Sequence, residues 1–146
     1  MSRGEAWFMH ASAAAVCGTG AVLTAMVYAM EPADEFALVN HPAQPDFLHA
    51  HVLLAPLFVF ALGLVWLGHV WVRVRSGWQP RRRTGLALAA LVWPMVASGY
   101  LLQVVGDPAV RDALLIAHVV TSLGFLALYP LHLLARRSAR AAAASG

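Results

Sequence analysis

FLHAHVLLAPLFVFALGLVWLGHVWV (residues 47–72) is an apolar run that holds three histidines and no Asp, Glu, Lys or Arg. Roughly 18–20 such residues suffice for a helix to cross the hydrocarbon core of a bilayer, and this run is longer. Its apolar residues are continuous rather than alternating, which argues against a strand. In lipid the backbone must satisfy its own hydrogen bonds, so the run predicts a transmembrane helix. Three more windows lack charged residues in the same way: Trp7–Met30, Thr84–Gly106 and Ala113–Ala135. The chain as a whole is 60% hydrophobic and 12% charged, about half the charged share of a soluble domain. The sequence therefore predicts an all-α fold, a transmembrane four-helix up-and-down bundle. Residues 1–146 form a single membrane domain, with helices at about 7–30, 46–74, 84–105 and 108–135 and a tail over 136–146 that frays from Ala141.

Arginine sets the expected orientation. The chain has no Lys, and its ten basic residues are all Arg. Arg3 precedes the first window; Arg73, Arg75, Arg81, Arg82 and Arg83 lie between the second and third; Arg136, Arg137 and Arg140 follow the fourth. Only Arg111 lies on the other side. The positive-inside rule then puts the N- and C-termini and the middle loop in the cytoplasm of a bacterial-type inner membrane. The basic side fits anionic lipid, not nucleic acid. The first window is too long for an ordinary signal peptide and reads as a retained anchor helix. Cys17 is the single cysteine, and no Cys-x-x-Cys-His attachment sequence for covalent haem occurs. Gly106-Asp107-Pro108 reads as a helix stop, an N-cap and a first helical residue, and Asp46 as an N-cap for the second helix.

Ionisable side chains at membrane depth point to function. His51 and His69 lie in the second window, His118 and His132 in the fourth. These two helices are parallel in an up-and-down arrangement. By helical rise, His51 and His118 fall on the order of 8 Å below the outer boundary, and His69 and His132 about 6 Å above the inner one. Eighteen residues separate His51 from His69, about five turns. Fourteen separate His118 from His132, about 40° short of four turns. Each helix thus presents two imidazoles along one stripe. His49 is the rival of His51 for the outer position, but it lies roughly 200° around the helix from His69. Paired neutral imidazoles at two depths suit two b-type haems, each held by one histidine from each helix and six-coordinate for electron transfer. Pro56 is a natural place for a bend in the second helix. Gly63, Gly68, Gly99 and Gly124 could make room for a flat macrocycle or for close helix packing.

Three segments then show a resemblance: HAHVLLAPLFVFALGLVWLGHVW (49–71), MVASGYLLQ (95–103) and IAHVVTSLGFLALYPLHLL (116–134). They resemble small four-helix dihaem b-type cytochromes, the cytochrome b-like membrane subunits of bacterial redox complexes. The most specific element is His118-x13-His132, a spacing shared with cytochrome b of the quinol–cytochrome c oxidoreductases. The resemblance implies haem iron held by His51, His118, His69 and His132. It also implies transmembrane electron flow between a quinone pool and a partner subunit such as a cytochrome c, an iron–sulfur protein or a dehydrogenase. The eighteen-residue step in the second helix departs from the family and leaves His49 against His51 open. Ser98, Tyr100, Gln103 and His10 are the polar residues placed to meet a quinone. Two other functions fit the composition: a monohaem anchor of a dehydrogenase, and a non-redox membrane assembly or transport protein using its histidines for protons or metal.

Overall fold

The computed structural model describes residues 2–77 and 82–144, with side chains as far as residue 134. Trp78 and Arg81, and the side chains of Arg136, Arg137 and Arg140, lie outside the described residues. Among the described residues every regular element is helical: α1 (Arg3–Tyr28), α2 (Gln44–Arg75), α3 (Arg82–Leu101) and α4 (Pro108–Ala144). All four are long and apolar enough to cross a membrane. They form two units, residues 1–72 and 73–146. In the first α1 packs on α2, and in the second α3 packs on α4.

Local chemistry explains where each helix starts. Ser2 Oγ accepts from the Glu5 amide at 3.1 Å, and the Glu5 carboxylate accepts from the Ser2 amide at 2.8 Å. This capping box starts α1 ahead of its apolar window. Asp107 caps α4 as expected: its Oδ1 accepts from the Val110 amide at 2.9 Å, and Pro108 is the first helical residue. Asp46 does not cap α2. That helix begins two residues earlier at Gln44, because Pro45 already has the helical φ and its missing N–H costs nothing in the first turn. Asp46 lies inside that turn, where its charge still complements the helix dipole. At the far end of α3 the helix stops at Leu101 rather than near 105, and a tight turn follows. Arg111 donates from Nη1 to the Leu102 carbonyl at 2.8 Å and so closes the end of this helix. The backbone of α4 remains helical to Ala144, where fraying from Ala141 is expected.

The cores of the two hairpins are thin. In the first, Met9, Ala13, Met26, Phe58 and Ala61 are buried, and Phe8 meets Phe60 edge to face with centroids 6.1 Å apart. Ala13 and Ala61 let the backbones approach closely, as membrane helices require when no water drives them together. In the second, Leu88, Met95, Ser98 and Phe125 are buried, and Phe125 stacks on Tyr129 at 5.3 Å. The outward faces carry large apolar side chains, among them Leu53, Phe60, Leu67, Trp93, Ile116 and Val120. A surface of this kind suits lipid, which gains nothing from their burial.

One element was not expected. Trp66–Trp71 of α2 is a π-helical turn, and His69 lies within it. Its hydrogen bonds reach five residues rather than four, so each residue winds through a smaller angle than in an α-helix. The five-turn count from His51 to His69 holds only as far as Val65, and His69 lags behind the His51 stripe. Pro56, Pro94 and Pro130 are all accommodated inside continuous helices.

Candidate functional site: histidines seated on the neighbouring helix

His51 projects from α2 onto α1. Its Nδ1 is 3.1 Å from Thr19 Oγ1 and 3.1 Å from the Val16 carbonyl oxygen. A carbonyl can only accept, so this pairing requires the proton on Nδ1. The Thr19 hydroxyl agrees, since its single hydrogen is directed at the carbonyls of Ala15 and Val16, at 2.9 and 3.0 Å. Its lone pairs are therefore turned to the ring. Beneath the ring lies Gly20: a Cβ there would sit 3.0 Å from His51 Cε1.

His118 repeats the arrangement between α4 and α3. Its Nδ1 is 2.9 Å from the Met95 carbonyl oxygen and 3.4 Å from Ser98 Oγ. Ser98 is buried and donates to the Pro94 carbonyl at 2.6 Å. A Cβ on Gly99 would come within 2.9 Å of His118 Cε1. His132 follows the same plan one step along α3. Its Nδ1 is 2.9 Å from Thr84 Oγ1, and a Cβ on Gly85 would lie 3.3 Å from its Cε1.

Three of the four predicted ligands thus share one construction. A hydroxyl residue meets Nδ1, and the glycine after it makes room for Cε1. Thr19 and Ser98 each lie sixteen residues past the first residue of their helix, so the two hairpins place these seats alike. Thr84 and Ser98 are fourteen residues apart, the same step as His118 and His132. Antiparallel partners with equal steps bring both rings of α4 onto α3.

The remaining candidates are placed differently. His69 is half-buried in the π-turn, and His49 is exposed at the start of α2. His10 is half-buried on α1. Ser98 is engaged beside His118, Tyr100 is exposed, and Gln103 donates from Nε2 to the Gly99 carbonyl at 3.4 Å. Gly99 serves His118 and Gly124 receives Leu91, whereas a Cβ on Gly63 or Gly68 would meet nothing within 4 Å. Among the described residues no three His, Cys, Asp or Glu side chains come together as a metal-binding group.

Sequence reasoning missed Thr19, Gly20, Thr84 and Gly85. A signal for them existed, because Thr19-Gly20, Thr84-Gly85 and Ser98-Gly99 are the Ser/Thr–Gly dipeptides of the described membrane helices. No protein-family model, curated protein or solved structure matches the chain.

Proposed function

We propose that this chain is a membrane-embedded dihaem b-type cytochrome subunit that carries electrons across the inner membrane of a bacterium, between a quinone pool and a partner redox protein. The observation that carries this reading is the common seating of His51, His118 and His132. An axial ligand must be a neutral imidazole whose far nitrogen is free, and a hydrogen bond from the other nitrogen fixes its tautomer and orientation. The Val16 and Met95 carbonyls accept that hydrogen bond from His51 and His118, and the Thr84 hydroxyl meets the corresponding nitrogen of His132. The donor set fits haem, which needs two such ligands per iron and supplies one-electron chemistry when bound.

In this reading His51 pairs with His118 at the outer depth and His69 with His132 at the inner depth, within a four-helix bundle whose termini are cytoplasmic. The chain's own residues orient three of these rings, at His51, His118 and His132, and hold the Nδ1 protons of the first two. The donor and acceptor are taken to be partner redox proteins. One feature favours a one-haem version: His69 lies in the π-turn, eighteen residues from His51, where the equivalent step in α4 is fourteen.

The test is a reduced-minus-oxidised spectrum with pyridine haemochrome quantitation on the purified chain. Two haems b per chain are expected. One haem sinks the dihaem claim in favour of the monohaem anchor, and no reducible α-band favours the non-redox alternative. His51→Ala is expected to remove the outer haem and His49→Ala to retain it; the reverse pattern reassigns the ligand to His49.

A further inference from the structure

We propose that Thr19–Gly20, Thr84–Gly85 and Ser98–Gly99 are imidazole seats. They are positioning residues that hold each ring against the neighbouring helix, and at Thr19–Gly20 and Ser98–Gly99 the seat also fixes the ring's tautomer, within each hairpin and without a cofactor. This proposal rests on the ligand reading of the histidines, but it concerns the protein without its cofactor.

A neutral histidine has two tautomers, and only the form with its proton on Nδ1 leaves Nε2 basic. In water the two interconvert freely. At His51 the Val16 carbonyl selects the Nδ1–H form, and at His118 the Met95 carbonyl does. Both carbonyls belong to helical residues three positions before the seat hydroxyl, a position set by the helix itself. At His132 the nearest seat group is the Thr84 hydroxyl at 2.9 Å.

The glycine is what permits the approach. With a Cβ in its place the ring would be met at 3.0 Å over Gly20, 2.9 Å over Gly99 and 3.3 Å over Gly85. The distance over Gly99 is too short for ring and methyl to coexist, so an alanine there displaces the His118 imidazole from its carbonyl. The other two are tight, and the ring must give by a few tenths of an ångström, which lengthens the 3.1 Å contact of His51 with the Val16 carbonyl. A hydroxyl and a glycine in adjacent positions therefore act together: the hydroxyl meets Nδ1, and the glycine opens the space that lets the ring reach the helix.

The experiment is nitrogen NMR of the full chain, labelled at histidine and reconstituted in bilayers without haem, in mildly alkaline buffer. His51 and His118 are expected in the Nδ1–H form. Gly99→Ala should abolish that single-tautomer signal for His118 and leave His51 unchanged, and Gly20→Ala should do the converse. Thr84→Val should shift the His132 signal, with Thr84→Ser restoring it. Gly124→Ala is the packing control, because its Cβ would press on Leu91 at 3.2 Å and on no histidine. Should a Gly→Ala variant fail to insert, the unsubstituted chain still decides the matter by its own tautomers. The proposal is overturned if His51 or His118 carries its proton on Nε2, if Gly124→Ala alters His118 as Gly99→Ala does, or if Thr84→Val leaves His132 unmoved. A haem-free purified chain with the expected tautomers would overturn the cytochrome reading while the seats stand.

Discussion

A methyl group on Gly99 would lie 2.9 Å from a ring carbon of His118, whereas one on Gly63 or Gly68 would meet nothing within 4 Å. The same substitution should therefore have opposite signs at these positions. Gly99→Ala and Gly20→Ala overpack a helix contact and are expected to destabilise by about 1–3 kcal/mol. Gly63→Ala and Gly68→Ala remove backbone freedom without a clash and should stabilise by roughly 0.5–1 kcal/mol. Denaturant unfolding in detergent measures both, and equal effects at the two kinds of glycine would contradict the packing described. At this scale the sequence was legible for the histidines, since a polar ring in an apolar run has few uses. It was less legible for their supports. A Ser or Thr in a membrane helix ordinarily bonds its own backbone, as Thr121 does to the Ala117 carbonyl at 2.6 Å. Thr19 and Ser98 do this too, and only the helix packed against them turns the remaining lone pair into a seat.

At the scale of elements, the helices themselves were readable from apolar length and from Asp107-Pro108. The departures came from backbone chemistry that hydropathy does not register. The start of α2 was moved by Pro45, and the end of α3 by a turn that the Arg111 side chain closes. The π-turn was invisible to a count made at 3.6 residues per turn. Because a π-turn holds one residue more than the α-turn it replaces, deleting one residue from it should restore regular winding without shifting the flanking helix. Leu67 is suited to this, being 72% exposed. Its deletion is expected to change the placement of His69 and, in the proposed dihaem cytochrome, to cost the inner haem and leave the outer haem in place. Haemochrome quantitation with the reduced spectrum separates these outcomes; a deletion that keeps both haems would show that the wide turn does not position His69.

For the whole molecule the prediction concerns orientation. Nine of the ten arginines flank the apolar segments at the N-terminus, in the 73–83 connection or after the fourth segment, so a reporter that functions only in the cytoplasm should be active at either terminus and inactive when inserted in the 31–43 loop. Weakening the bias at the 73–83 loop, with Arg73, Arg75, Arg82 and Arg83 changed to Gln, should produce a mixture of orientations. A single unchanged orientation in that variant would mean the remaining arginines suffice. That four helices are long and apolar enough to cross a membrane could be read from composition. That they fold as two hairpins of like design was harder to read, because Thr19 and Ser98 share only the glycine that follows them.

Each seat and the ring it holds belong to the same hairpin. During synthesis the first hairpin can therefore order His51 while the second is still being made. The entropy of fixing an imidazole is then spent as the chain enters the bilayer, and under the proposed function haem capture would start from rings already aimed. Maturation should accordingly be limited by the arrival of the cofactor or by the meeting of the two hairpins, not by a search among ring orientations.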